Sequence, residues 1–355
     1  MSVYILNYLS LPFYAKIFKR RDFCVIASIQ MFLILALRAN TVGVDLQTYA
    51  SAFEYISQLD FLDMVSRIKL LKNAMLPYPY SLESGWMLLN WLISHMGLDF
   101  HSLLVFCAAV NMYAYGKLVY RYSNIPWMSF CIFLALNVYT YMFGILRQSL
   151  ALSVVILAVM AFDNNKKKAY SLFIISFVIH RTAIIALLLF YIIRKQSANK
   201  KLFKNLILGW IPFLFLASFL YEKVVMKIMT FLGKGYQGAG LQINNLMILL
   251  VLIGVLTLLL YSFDNMKKPV EYLSIWSIIG AIYLETFGMM NENLARCVQY
   301  FVAFITLAVP QVLNNYFDTR VIRLGRITIG IMLFLYMIIS LQGTAINPYH
   351  TVFYH

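Results

Sequence analysis

Arginine and histidine are scarce inside apolar helices, so the places where this chain puts them ask for a reason. The stretch "FVIHRTAII" sets His180 beside Arg181 near the middle of Ala169–Ile193, a run otherwise almost wholly apolar or hydroxylic. An arginine at a bilayer centre costs roughly 2.5–3.5 kcal/mol even on insertion scales. "FGILRQSLA" adds Arg147 and Gln148, and "ALRANTVGVDLQTYASAF" adds Arg38, Gly43, Asp45 and Tyr49. "GMMNENLARCVQYF" adds Asn291, Glu292, Asn293, Arg296 and Tyr300, and Glu83 heads the short apolar segment "ESGWMLLNWLISHMG". A planar guanidinium grips phosphate oxygens in a bidentate manner. A neutral imidazole accepts a proton near pH 7. Together these residue types fit the handling of a phosphorylated ligand that lives in a membrane.

The elements that must position them follow from composition. The chain is 62% hydrophobic with only 12% charged residues, about half the usual share of roughly 25%. Long apolar runs recur, and helices satisfy their own backbone hydrogen bonds in lipid. The expected fold is therefore all-α: one integral domain over residues 1–355, a polytopic transmembrane bundle of about eleven spans. Clear spans read at about 22–39, 100–121, 126–144, 146–163, 203–221, 243–262, 270–288, 295–316 and 322–342. Residues 1–21 read as an N-terminal interfacial segment, although 1–15 alternatively makes a short span. Residues 40–99 read as a cap loop on the outer face, with a short helix at 83–97.

The net charge of +15 raises nucleic acid as a partner, but the basic residues cluster between the apolar runs, as cytoplasmic loops require. Those loops are "KIFKRR", "NNKKK", "RKQSANKKLFK", "NMKKP" and "TRVIRLGR". Placing all of them on one side fixes the parity of the threading. A single span over 169–193 would strand "RKQSANKKLFK" on the wrong side. A helical hairpin broken at His180 repairs this, with His180-Arg181-Thr182 at its tip under the outer surface; the alternative is one tilted helix with the pair buried. The same threading brings Arg38, Arg147, Arg181 and Arg296 to the outer face. For each arginine the structural alternative is interfacial anchoring, or a buried pair with Asp45, Glu83, Glu285 or Glu292.

Other features narrow the reading. Cys24, Cys107, Cys131 and Cys297 show no metal-ligand spacing and no disulfide framework. The N-terminal segment lacks a small-residue cleavage site, so no removable signal peptide is expected. The many aromatic residues suit interfacial belts, and Tyr49, Tyr55, Tyr78 and Tyr80 also have the shape to stack on sugar rings. The glycine-rich stretch "FLGKGYQGAGLQINN" (231–245) reads as an outer loop and not as a nucleotide loop.

The order of "ALRANTVGVDLQTYASAF", "LESGWMLLN", "GILRQSLALSVVIL", "KKKAYSLFIISFVIHRTAII", "NLARCVQYFVAFITLAVP" and a late "NPY" resembles the Wzy/EpsG-like polysaccharide polymerases, over roughly residues 30–350. The resemblance implies a glycosyltransferase of bacterial O-antigen, capsule or exopolysaccharide synthesis. Such an enzyme moves a growing glycan from undecaprenyl diphosphate to the non-reducing end of another lipid-linked repeat unit, at the outer face of the inner membrane. The family's motif positions fall on Gly43, Asp45, Glu83, Arg147, Gln148, His180, Arg296 and Tyr300. Val44 stands where the family commonly has a small or hydroxylic residue, and Arg181 is not part of the pattern.

Taken with the residue chemistry, this gives a definite expectation. Arg147, Arg296, Arg38 and Arg181 bind the diphosphate; Gln148, Tyr300, Tyr49 and Asn293 position substrate. The base that activates the acceptor hydroxyl is His180, Asp45 or Glu83, with His180 ranked first. The transfer inverts the anomeric centre and uses no cofactor; no Asp-x-Asp pair at the outer face calls for a metal. Expected partners are the lipid-linked repeat units, membrane lipid and a chain-length regulator, with no nucleic acid. Competing functions are an O-antigen ligase-like transferase, separated only by its acceptor, and a lipid-linked oligosaccharide flippase or other transporter. A transporter would line a midplane path and often shows internal repeats.

Overall fold

The computed structural model describes residues 1–70, 82–221, 223, 244–314 and 319–353. Tyr78, Tyr80 and residues 231–243 of the glycine-rich stretch lie outside them. Among the described residues the structure is all-helical; the sole β-type pairing is an isolated bridge between Arg38 and Thr351. Two compact units are separated by contacts: residues 1–121, 126–184 and 330–355 form the first, and residues 122–125 and 185–329 the second.

In the first unit, α1 (Ser2–Ile17) buries Tyr4, Asn7, Tyr8 and Leu11, an i, i+3, i+4, i+7 stripe. It packs on α2 (Arg20–Ala36) and α7 (Pro126–Ala135), and a polar clasp from Gln30 Nε2 to Asn7 Oδ1 spans 2.6 Å. The cap loop folds into α3 (Leu46–Ser57) and α4 (Phe61–Leu70), and α5 (Ser84–His95) packs against α3. Next come α6 (Phe100–Tyr122), α8 (Val138–Gly144), α9 (Leu146–Phe162) and α10 (Lys166–Ile179). α7 and α8 are the two arms of one apolar stretch, bent by 53°. The bend falls where Asn137 takes a left-handed conformation, φ 62°, which asparagine tolerates better than most residues.

The second unit holds α11 (Ala186–Lys195), α12 (Lys200–Leu220), α13 (Asn245–Leu260), α14 (Pro269–Gly288) and α15 (Glu292–Asn314). α14 and α15 form a tight hairpin, and α11, α12 and α13 pack on α14. Gly280 makes the hairpin possible, because a Cβ there would come within 2.5 Å of the Phe301 ring. α16 (Thr319–Leu341) ends the helical part of the chain.

The expected segments at 100–121, 146–163, 270–288 and 322–342 correspond to helices within a few residues. The expected span count is a different matter. Among the described residues, three helices are long and apolar enough to cross a bilayer: Phe100–Tyr122, Glu292–Asn314 and Arg323–Leu341; the bent α7–α8 pair makes a fourth if taken as one span. Leu146–Phe162 and Asn245–Leu260 are apolar but shorter; their 17 and 16 residues rise about 25 Å, less than a core of roughly 30 Å. Helix length therefore supports a helical membrane protein and not the number eleven.

Candidate functional site

The break expected at His180 is present. α10 stops at Ile179, His180 is extended (φ −154°, ψ 122°), and Arg181–Ile185 form a short 3-10 turn before α11. On one side α10 packs against α9 and α5; on the other α11 packs against α14. Geometry explains why His180 returns to Arg147. α9 runs 17 residues from Leu146, Asn165 caps α10 by accepting from the Lys168 amide at 2.9 Å, and α10 runs 14 residues back along α9. At 1.5 Å per residue the two lengths nearly cancel, so the end of α10 meets the start of α9.

Glu83 joins them. Its Oε1 lies 2.7 Å from His180 Nδ1 and its Oε2 is 2.5 Å from Arg147 Nη1. The Arg147 contact is an ion pair and the His180 contact a hydrogen bond, with side-chain exposures of 10% for Glu83, 18% for His180 and 22% for Arg147. Burial alone would raise the Glu83 carboxyl, but the His180 hydrogen bond and the Arg147 charge outweigh it and hold the group at about 2. Arg147 also lies over the Tyr49 ring at 5.7 Å, with Nε 3.4 Å from the Tyr49 hydroxyl. Tyr49 in turn packs edge-on to Trp86, which is fully buried.

Backbone approaches hold this arrangement. Gly43 has φ +141°, and a Cβ there would lie 2.4 Å from the Phe143 carbonyl oxygen; a Cβ at Gly144 would lie 2.3 Å from the Val44 carbonyl oxygen. The two glycines thus let the cap loop and the end of α8 touch backbone to backbone. Gly85 does the same for α5 against Val178, two residues before His180, with a Cβ distance of 2.9 Å. Asp45, left-handed at φ 68°, is the N-cap of α3, one turn ahead of Tyr49. Gln148 and Ala151 after Arg147, and Ala183 after His180, are buried, so those positions serve packing.

The remaining expected residues are placed differently. Arg38 is 1% exposed. Its guanidinium donates to the carbonyls of Leu35 and Met142 (the latter at 3.5 Å) and lies 5.5 Å from the Phe143 ring centre. Its neighbours take up the tail: Ala39 N bonds to His350 O at 2.9 Å, Val352 N to Leu37 O at 2.8 Å, and Tyr349 of the "NPY" motif donates to Ile34 O at 2.9 Å. Arg38 is occupied in holding the C-terminal end of α2 to Met142 and the tail. Arg181 is exposed on the 3-10 turn. Asn293, Arg296 and Tyr300 belong to the first turns of α15 in the second unit, Tyr300 fully buried and Arg296 half-buried.

Sequence reasoning missed two features. Trp86 sits three residues after Glu83, on the same face of the helix start, and supports Tyr49 from below. In the second unit, Glu285 is 1% exposed and accepts from Asn244 Nδ2 at 2.6 Å through Oε1, while Oε2 has no hydrogen-bond partner. Glu285 had entered only as a possible partner for an arginine; its partner is an amide.

A helical membrane protein with a carboxylate that bridges an arginine and a histidine is a class with phosphate and acid–base chemistry within reach. The EpsG family model matches residues 22–353, nearly the whole chain, and the protein belongs to the EpsG family. Membership points to a polysaccharide polymerase with glycosyltransferase-like activity. No curated protein and no solved structure matches the chain.

Proposed function

We propose that this protein lengthens a polysaccharide by transferring a growing glycan from undecaprenyl diphosphate to the non-reducing-end hydroxyl of another lipid-linked repeat unit, on the extracytoplasmic side of a bacterial inner membrane. The observation that carries this reading is the Glu83 bridge. With its two oxygens engaged and its charge held down to about pH 2, Glu83 is a poor base and a good orienting group. Accepting from His180 Nδ1–H leaves Nε2 as the free, basic nitrogen. His180 is therefore the base, and Glu83 the group that fixes its tautomer.

In the step proposed, His180 Nε2 takes the proton of the acceptor hydroxyl as its oxygen attacks the anomeric carbon. The bond from that carbon to the lipid diphosphate breaks, the diphosphate leaves with the electron pair, and the anomeric centre inverts. Arg147 stabilises the charge that develops on the leaving group; one such preorganised donor is worth roughly 3–4 kcal/mol in a transition state. Its partial exposure leaves N–H groups for phosphate oxygens beyond Glu83. Asp45, Gln148 and Tyr49, in the same unit as Arg147 and His180, are proposed around the acceptor.

The test is reconstitution of the purified protein with lipid-linked repeat units and no nucleotide sugar. Ladder-like lengthening that is lost in Arg147→Ala, with membrane insertion intact, is the expected result. Normal chain lengths in that variant would remove the phosphate role. Movement of lipid across the bilayer without a new glycosidic bond would turn the reading to a transporter, and transfer only to a different acceptor would turn it to a ligase.

A further inference from the structure

The first unit has a second feature that polymerisation does not use. Arg20 reaches the carbonyl of Tyr120 (2.6 and 3.0 Å), and Ser28 meets Gly116, where a Cβ would lie 2.1 Å from the Ser28 hydroxyl. These pairings run in opposite directions along the chain, so α2 and α6 are antiparallel and touch at Gly116. Beside the contact, an open groove of about 520 Å³ is lined by residues of these two helices alone. A volume of that size falls within the range of ligand sites, roughly 300–1,000 Å³.

The groove wall is almost entirely apolar, formed by Val25, Ile29 and Phe32 from α2 and Ala109 and Met112 from α6. Charge appears at one end only, where Arg21 and Lys117 line it. Arg21 is exposed and makes no ion pair or hydrogen bond among the described residues. Lys117 donates to the Tyr113 hydroxyl at 3.0 Å and lies 5.1 Å above that ring, the placement of a cation and aromatic at a headgroup interface. Asp22 is the one acidic residue in the first turn of α2, against Arg20, Arg21, Lys117 and Arg121. Along α2 the groove runs from Arg21 to Phe32, a rise of about 16 Å. That is half of a hydrocarbon core of roughly 30 Å, the depth of one leaflet.

A one-leaflet apolar trough with two cations at its mouth has the shape and charge of a complement to a phospholipid. We propose that this groove is a binding site for an anionic phospholipid of the leaflet at the basic end, with an acyl chain along Val25, Ile29 and Met112 and the phosphate between Arg21 and Lys117. Cations at a membrane surface favour anionic headgroups by roughly fivefold each, so selectivity resides in the headgroup and residence in the chain.

Native mass spectrometry of the full-length protein, titrated with phosphatidylglycerol or with phosphatidylcholine of equal chain length, tests this. The expected result is phosphatidylglycerol retained roughly tenfold or more tightly. The R21E/K117E variant should lose that preference, and Val25→Trp, which fills the groove from an exposed position, should weaken both lipids. Thermal unfolding of each variant checks the fold, and the single variants R21Q and K117Q replace the double one if it unfolds. Equal binding of the two lipids, a preference unchanged by charge removal, or tight binding to Val25→Trp would overturn the site.

Discussion

Among the described residues each unit of this protein buries one glutamate beside asparagine- or arginine-bearing segments, and the two are treated differently. Glu83 has both oxygens matched, one to His180 and one to Arg147, from three separate segments of chain. Glu285 has one oxygen on the Asn244 amide and the other without a partner. A matched buried carboxylate is fixed in charge and direction and orients its partners; a half-matched one is a cost the hairpin of α14 and α15 bears. The contrast supports the proposal that the first glutamate belongs to the reacting centre and the second does not.

The sharpest way to break that assignment is Glu83→Gln. It removes the charge that both partners need, so lengthening should fall on the order of 10³-fold or more. Arg147 is then left without its counter-ion, so unfolding in detergent should come at a clearly lower temperature, reflecting roughly 3–5 kcal/mol. His180→Gln should slow lengthening about 10²–10⁴-fold while the melting temperature moves little. Arg147→Lys keeps the charge but not the fork, and a fall of roughly 10²–10³-fold is expected; full activity in this variant would make Arg147 a plain structural counter-ion.

Acid stability follows from the same bridge. The Glu83 carboxyl is lowered from 4.5 to about 2, so its contribution is complete above pH 4.5 and is lost as pH falls toward 2. A difference on the order of 3 kcal/mol should separate parent from Glu83→Gln at pH 6 in chemical unfolding and should shrink steadily below pH 4.5. The smallest effect belongs to Glu285→Gln, which keeps the acceptor for Asn244 and replaces an oxygen that has no partner. Stability should change by about 1 kcal/mol or less, with lengthening unaltered in the same reconstituted assay. Lost lengthening there would move the acid chemistry to the second unit and dissolve the contrast.

Much of the centre was legible in the sequence because its members are individually costly in an apolar setting. His180 marked its own helix break. What the one-dimensional pattern does not contain is which carboxylate meets which base. Asp45, Glu83 and His180 were all candidates, His180 ranked first; the near-equal lengths of α9 and α10 bring His180 to the head of α9, where Glu83 reaches it. Arg38 misled for a related reason: an arginine at a span end looks the same whether it faces a ligand or clamps its own helix end. The partners that occupy it, Met142 and the tail around Thr351, are distant in sequence. The helix lengths leave the count of spans unconfirmed at α7–α8 and at the shorter helices, because hydropathy averages over a window and does not register a single left-handed Asn137.

Gly43 and Gly144 each forbid a side chain for the sake of one shared backbone contact. Energetically they are a single position written twice. A methyl group at either would part the cap loop from the end of α8, and the second methyl would find the damage already done, so the combined penalty in a double-mutant cycle should be much less than additive.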